Sequence, residues 1–482
     1  MPFSPINHTP WGACWLQVGP PLPGECTPAG LFAALRNQPG CLFLDSSLPH
    51  ARLGRYSYLA ADPFAWVTCD PESDGFSLVE QRLAPFACET IPGLPPFQGG
   101  AAGCFGYELC HSLEKIPRPR HAGLPGPAMA VGMYDVVLAF DHQEQQLSIV
   151  SQGLPQLDPE KRSAHAVQRL QTLLQMLDGP TTSPPSGSPP VHDSSYDLPP
   201  QHPLAGWSRV TSDFSRDGYL SAVQRAVDYI HAGDVFQVNL TQRLMAPLRE
   251  SPSDYYLRLR EQSPAPFAGY FDAGEYVLCS ASPERFLRVE NDQVETRPIK
   301  GTRPRSADAA TDAELAGQLA ASTKDRAENT MIVDLLRNDL SRVCTDDSVA
   351  VPTLCGLESY EQVHHLVSVV EGRLRSGVSA LDALRACFPG GSITGAPKVR
   401  AMEIISELES TPRGPYCGSL AYIGFNGAMD SSILIRTAVA SHGWLQMSVG
   451  GGVVADSVPE DEYEETLQKA AGMLAALPRE TR

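Results

Sequence analysis

The chain has 482 residues, of which 42% are hydrophobic, and a formal net charge of −18. Its length admits roughly two to four domains or one large α/β domain, and its apolar content suffices for a sizeable core. The negative charge argues against nucleic acid or an anionic membrane as partner, although a local cluster of Arg and Lys can still receive a small anionic substrate.

Twelve cysteines are scattered with no Cys-x-x-Cys pair, so they are expected to be reduced thiols, several of them buried. Met1 to Trp11 has no basic patch followed by an apolar run, and no stretch of about 18 uncharged apolar residues occurs. Neither a signal peptide nor a membrane span is expected, which leaves the cytoplasm as the default compartment.

In chain order, Cys41-Leu42-Phe43-Leu44 and the run from Ala130 to Leu138 are strand-like. The stretch 178–206 is rich in Pro, Ser and Thr, including Ser183-Pro184-Pro185-Ser186-Gly187-Ser188-Pro189-Pro190. It buries too little apolar surface to offset its ordering entropy, so an exposed, partly disordered connection is expected between 1–177 and 207–482. Beyond it, Tyr219, Leu220, Val223, Ala226, Val227 and Ile230 recur at helical spacing, with Ser215 or Asp217 as cap and Gly233 as stop. A strand is expected at Phe236–Leu240, then helices at 322–338, 381–387, 398–409 and 460–476.

Residues Gly390 to Glu403 form a glycine-rich loop running into a helix with Pro397 in its first turn. Free N–H groups at such a start can receive an anion. Asp325 and Glu328 are three apart on one expected helix, and Glu462 and Glu465 on another, so each pair shares a helix face. Two such faces brought together would offer the all-oxygen site that Mg²⁺ prefers; taken alone, each pair is surface charge. Lys469 lies four residues after Glu465, the spacing of a simple ion pair. No Gly-Lys-Ser/Thr follows the loop, Gly450-Gly451-Gly452 lacks dinucleotide spacing, and there is no hydrolase elbow or Cys-centred glutaminase loop.

Five segments, Phe236-Gln237-Val238-Asn239-Leu240, Ser282-Pro283-Glu284-Arg285-Phe286, Arg297-Pro298-Ile299-Lys300-Gly301-Thr302, Met331-Ile332-Val333-Asp334-Leu335 and Gly450 to Ser457, join that loop in an order that resembles the chorismate-utilising enzymes. Gly54-Arg55-Tyr56-Ser57 and Gly103-Cys104-Phe105-Gly106-Tyr107 extend the likeness more thinly into the first half. The resemblance implies an α/β fold of the α+β type, with two packed antiparallel-rich sheets, helices outside, and intertwined N- and C-terminal halves.

It also implies roles. Glu328 and Glu465 correspond to Mg²⁺ ligands, with Asp325 and Glu462 at outer positions; relatives more often carry Glu where Asp325 stands. Arg436 and Lys469 correspond to carboxylate-binding residues, Tyr422 to a hydroxyl donor, and Gly450, Gly451 and Gly452 to a closely approaching backbone. Glu284 corresponds to the general acid and His365 to the active-site histidine, while Thr302 and Ser392 line the site. Lys300 decides the reaction: anthranilate synthases place Ala there, aminodeoxychorismate synthases a Lys that attacks C2 of chorismate or positions it. Gln237 stands where isochorismate and salicylate synthases carry a Lys that activates water, so ammonia is the expected nucleophile. Lacking a glutaminase loop, the chain would draw ammonia from a separate glutamine amidotransferase on the route to 4-aminobenzoate and folate. An anthranilate synthase component and a non-catalytic subunit of the same fold are the alternatives. Leu44-Asp45-Ser46 matches a segment that can hold tryptophan in relatives; local sequence favours a plain strand end.

Overall fold

A computed structural model describes residues 5–22, 26–48, 53–178, 196–360 and 363–478. Most of the connection expected over 178–206, including Ser183 to Pro190, lies outside the described residues.

Two antiparallel sheets, a larger and a smaller, form the frame. Strands from both sides of the connection alternate within them: Leu42–Asp45 pairs with Phe267–Asp272 in the larger sheet, and Gly100–Phe105 with Ser419–Gly424 in the smaller. The sheets pack face to face. Leu42, Tyr58 and Phe271 of the larger share one buried cluster with Ala102, Cys104 and Leu420 of the smaller. Helices cover the outer faces, with Arg216–His231, Lys398–Leu408 and Pro459–Ala475 sharing a cluster with the strand Gln237–Pro247.

Most expected elements are present. Ser215 caps Arg216–His231, its side chain accepting the Gly218 N–H. Thr323–Ser341, Ala380–Cys387, Lys398–Leu408 and Pro459–Ala475 fall on the other expected helices. Pro397 is the N-cap of its helix rather than a first-turn residue. The run from Ala130 to Leu138 is not one strand: Met129–Tyr134 belongs to the smaller sheet and Val136–Asp141 to the larger. The chain changes sheet at Asp135, a fully buried carboxylate held by Arg169 at 3.0 Å. An apolar run carries no mark of where it changes partner. All twelve cysteines are free thiols, and all but Cys88 are buried. Among the described residues no helix is long and apolar enough to cross a membrane.

The larger sheet leaves one edge open. Trp444–Val453 pairs along its whole length with Gln237–Pro247. On its other side Thr437–Ser441 pairs only with Trp444 to Met447. From Ser448 onward that side has no strand among the described residues, and Arg436 stands beside the vacated edge with a left-handed φ of 52°. A non-glycine residue in that region marks local strain of the kind found at functional sites.

Candidate active site

The open edge is where the expected residues gather. The smaller sheet supplies Glu284 just before its strand Arg285–Glu290, Lys300 and Thr302 on Ile299–Pro304, and His365 on Val363–Arg373. Thr302 and His365 are cross-strand partners, and Thr302 Oγ1 lies 2.9 Å from His365 Nδ1. Burial pushes the His365 imidazole down to about 4, so it is neutral at physiological pH.

Glu284 is 7% exposed, and its Oε1 accepts a hydrogen bond from Ser392 Oγ at 2.8 Å. Burial raises its carboxyl to about 7, against the opposing pull of the Ser392 bond and the Lys300 ammonium. A carboxyl tuned in this way can hold a proton for a leaving group near neutrality. The glycine-rich loop therefore reaches the site through Ser392.

The glycines of Trp444–Val453 separate two neighbourhoods. A Cβ on Gly452 would stand 2.6 Å from Gln237 Nε2 and 3.6 Å from Lys300 Nζ. A Cβ on Gly451 would face the opposite way, 3.0 Å from Glu462 Oε2 and 3.5 Å from Glu465 Oε1. Lys469 Nζ binds Glu465 Oε1 at 2.5 Å and donates to the Gly450 carbonyl at 2.9 Å. The simple ion pair therefore exists, and the same ammonium also reaches the glycine backbone. Burial pulls the Lys469 amine down, with Glu465 opposing.

The two carboxylate pairs come within electrostatic reach of each other without clustering. Burial raises Glu328, and the negative charges of Asp325 and Glu465 add to the effect while Lys300 and Lys324 oppose it. Burial likewise raises Glu462, whose Oε1 accepts from Ser457 Oγ at 2.6 Å. Glu465 is also pushed up by burial, but Lys469 outweighs this and holds it below the usual range. Asp325 turns toward the Lys300 strand, where Arg303 Nη2 donates to it at 3.3 Å. Among the described residues no three His, Cys, Asp or Glu side chains converge closely enough to hold an ion by themselves. Hard, partly buried oxygen donors that repel one another suit Mg²⁺, which commonly takes one or two carboxylates and completes its shell with water and substrate oxygens.

Arg436 is a half-buried cation of the site. Burial lowers its affinity for the proton, and no hydrogen bond or ion pair from its guanidinium is found among the described residues. A half-buried guanidinium without a partner is a receptor for a carboxylate. Tyr416 lies close enough to act on it electrostatically. Sequence reasoning missed Tyr416: a tyrosine in the turn Arg413-Gly414-Pro415-Tyr416 carries no local signal. Asn239 is named only within the Phe236–Leu240 segment, although alternate polar residues on a strand beside glycines are a usable sign. Among the described residues, both amide atoms of Gln237 and Oδ1 of Asn239 are buried without a protein partner, which asks for a ligand or water.

Two expected residues lie elsewhere. Tyr422 sits on Ser419–Gly424, stacked on Phe97 with ring centroids 4.5 Å apart. With Ser46 it lines a different cavity of about 310 Å³. Its strand is flanked by Gly100–Phe105 and Met429–Ile433, so its phenol is not brought to the Lys300 cluster. Ser46 follows the strand Leu42–Asp45 directly, and its Oγ donates to the Tyr56 carbonyl at 2.7 Å. A larger cavity of about 510 Å³ runs past Tyr416 and Thr437, and neither Lys300, Glu284 nor Glu465 lines it.

Residues 45–475 match the chorismate binding enzyme family. Anthranilate synthase component 1 of Thermus thermophilus is 44% identical, covering 83% of this chain and 82% of its own. Aminodeoxychorismate synthase component 1 of Klebsiella aerogenes is 40% identical over 92% of this chain and 95% of its own. Among solved structures, anthranilate synthase component I from Streptococcus pneumoniae superposes with a TM-score of 0.74 at 30% identity, covering 88% of this chain and 93% of that one.

Proposed function

The chain belongs to the chorismate-binding enzymes, and from that premise we propose that it aminates chorismate to 4-amino-4-deoxychorismate with ammonia from a glutamine amidotransferase. The observation that carries this reading is geometric: Lys300 Nζ stands beside Gly452 on the glycine edge and within electrostatic reach of Glu284, the buried carboxyl that Ser392 binds at 2.8 Å.

In this reading Arg436, Lys469 and the backbone of Gly450 to Gly452 hold the carboxylates of the substrate. Once it has lost its proton, Lys300 Nζ forms a bond to ring C2 as the double bond shifts and the C4–oxygen bond breaks. Glu284 gives its proton to the departing hydroxyl, which leaves as water. Ammonia then bonds to C4, the double bond returns, the C2–nitrogen bond breaks to free Lys300, and the new C4 ammonium gives the Glu284 carboxylate its proton back. Thr302 fixes the neutral His365 ring, and Gln237, which cannot act as a base, leaves water unactivated. Glu328 and Glu465, with Glu462 and Asp325 behind them, would hold Mg²⁺, which supplies charge stabilisation at the ring carboxylate when bound.

A second reading, anthranilate synthesis with loss of pyruvate, is favoured by the 44% identity to the Thermus thermophilus anthranilate synthase component. Lys300, where the anthranilate synthases place Ala, weighs against it. The test is mass spectrometry of the product from purified protein, chorismate, Mg²⁺ and an ammonium salt, with and without aminodeoxychorismate lyase. A non-aromatic amine that the lyase turns into 4-aminobenzoate supports amination; anthranilate with pyruvate supports the second reading. No turnover even with a glutaminase partner present would point to a non-catalytic subunit.

A further inference from the structure

Behind the site stands an ion pair that touches no expected site residue. Arg413 is 4% exposed, and its Nε and Nη2 donate to Glu409 Oε2 and Oε1 at 2.9 and 2.6 Å. The rest of the fork holds backbone. Nη1 donates to the Ile393 carbonyl at 2.9 Å and Nη2 to the Asn239 carbonyl at 2.8 Å. Glu409 Oε1 in turn accepts the Thr241 N–H at 2.9 Å. The other side is anchored in the first half of the chain: the N–H groups of Arg413 and Gly414 donate to Glu108 at 2.8 and 2.7 Å.

A buried ion pair is weak evidence of stabilisation, because desolvation opposes its Coulomb gain. Its worth here lies in what the planar fork joins. Ile393 follows Ser392, whose hydroxyl binds Glu284. Asn239 and Gln237 belong to the strand whose unpartnered amides face the glycine edge. Two walls of the cleft thus hang from one guanidinium, and apolar packing alone would not fix their separation to a hydrogen-bond length.

We propose that Arg413 is a positioning residue: clamped by Glu409, it fixes the Ser392–Ile393 loop against the Asn239 strand and so sets the Ser392 hydrogen bond on Glu284. The proposal rests on the reading of Glu284 as the acid, but its test does not need turnover.

The experiment is a ¹³C NMR titration of substrate-free protein labelled at the glutamate carboxyl carbons, with the Glu284 signal assigned from the Glu284→Gln variant. The groups acting on Glu284 are Ser392 and Lys300. Ser392→Ala removes a bond that favours the carboxylate, so its midpoint is expected to rise by about half to one pH unit. Arg413→Lys reaches fewer acceptors, and it is expected to raise the midpoint similarly. The double variant is expected to go no further than either single one, since all break the same contact. A lowered Tm with an unmoved midpoint would overturn the proposal and leave Arg413 a structural residue. Should Arg413→Lys not fold, Glu409→Gln loosens the same fork; a smaller upward shift supports the clamp and an unchanged midpoint overturns it. Chorismate turnover is assayed separately, so failure of the amination reading and failure of the clamp give different results.

Discussion

Lys300 and Gln237 meet across a missing side chain: a Cβ on Gly452 would stand 3.6 Å from the amine and 2.6 Å from the amide nitrogen. The φ of Gly452 lies outside the left-handed region, so its need for glycine is one of space. The nearer obstacle is the end of a flexible side chain, and the fold can absorb it. Gly452→Ala is therefore expected to keep Tm within about 4 °C of the parent while lowering kcat/KM at least about tenfold through displaced groups. Gly450→Ala should behave oppositely, because its Cβ would meet the Leu240 carbonyl at 2.5 Å and backbone cannot step aside. Thermal melts beside chorismate kinetics separate the two.

Lys300→Ala tests the nucleophile. If the amine forms the bond to C2, 4-amino-4-deoxychorismate formation is expected to fall at least about a hundredfold, and Lys300→Arg should not restore it, since a guanidinium stays protonated. Intact-protein mass spectrometry during turnover should find a chorismate-derived adduct on the parent and none on Lys300→Ala. An alanine variant that aminates at near-parental rate would mean that ammonia attacks directly and Lys300 only positions the ring.

Where the fold was legible in the sequence, local physics was sufficient. Helix spacing shows that Asp325 and Glu328 share a face, as do Glu462 and Glu465, but only the family resemblance, not local physics, gives them a role; Ser215 is legible because a cap is a local hydrogen bond. The strand expected at Phe236–Leu240 instead runs from Gln237 to Pro247. Its continuation, Thr241-Gln242-Arg243, is polar on both faces because Arg243 lines the cavity of about 510 Å³ while Gln242 bonds the buried Thr466 hydroxyl. Apolar periodicity is blind to that. Tyr416, Arg413 and the placement of Tyr422 depend on which strands lie side by side across the two sheets, a long-range relation that no local window contains.

Arg436 should trade stability against binding. Its guanidinium is half-buried with no protein partner among the described residues, so Arg436→Met removes a partly desolvated charge and leaves no bond broken. Stability is expected to stay within about 1 kcal/mol of the parent or to rise. Chorismate binding is expected to weaken by about 2–4 kcal/mol, the loss of a buried charge-assisted contact, or roughly thirty- to a thousandfold. Calorimetric titration and denaturant unfolding on the same variant decide it. A large drop in stability with little change in binding would show that the guanidinium serves the fold.

Glu284 gives the sharpest pH signature. Burial raises its carboxyl from 4.5 in the open chain to about 7 in the folded protein. Between those values the native state keeps a proton that the unfolded chain has lost, so the stabilisation is complete below about 4.5 and is lost as pH rises through about 7. The swing is on the order of 3 kcal/mol. Glu284→Gln cannot lose a proton and should flatten this component. Glu108, also raised to about 7 by burial, contributes to both proteins and cancels in the difference. In turnover the protonated acid is the working form, so kcat/KM is expected to fall above about pH 7, with His365 already neutral and adding no inflection between pH 5 and 8. Parent and variant unfolding curves from pH 4 to 8 that stay parallel would mean that Glu284 is solvated like an ordinary glutamate and cannot be the acid.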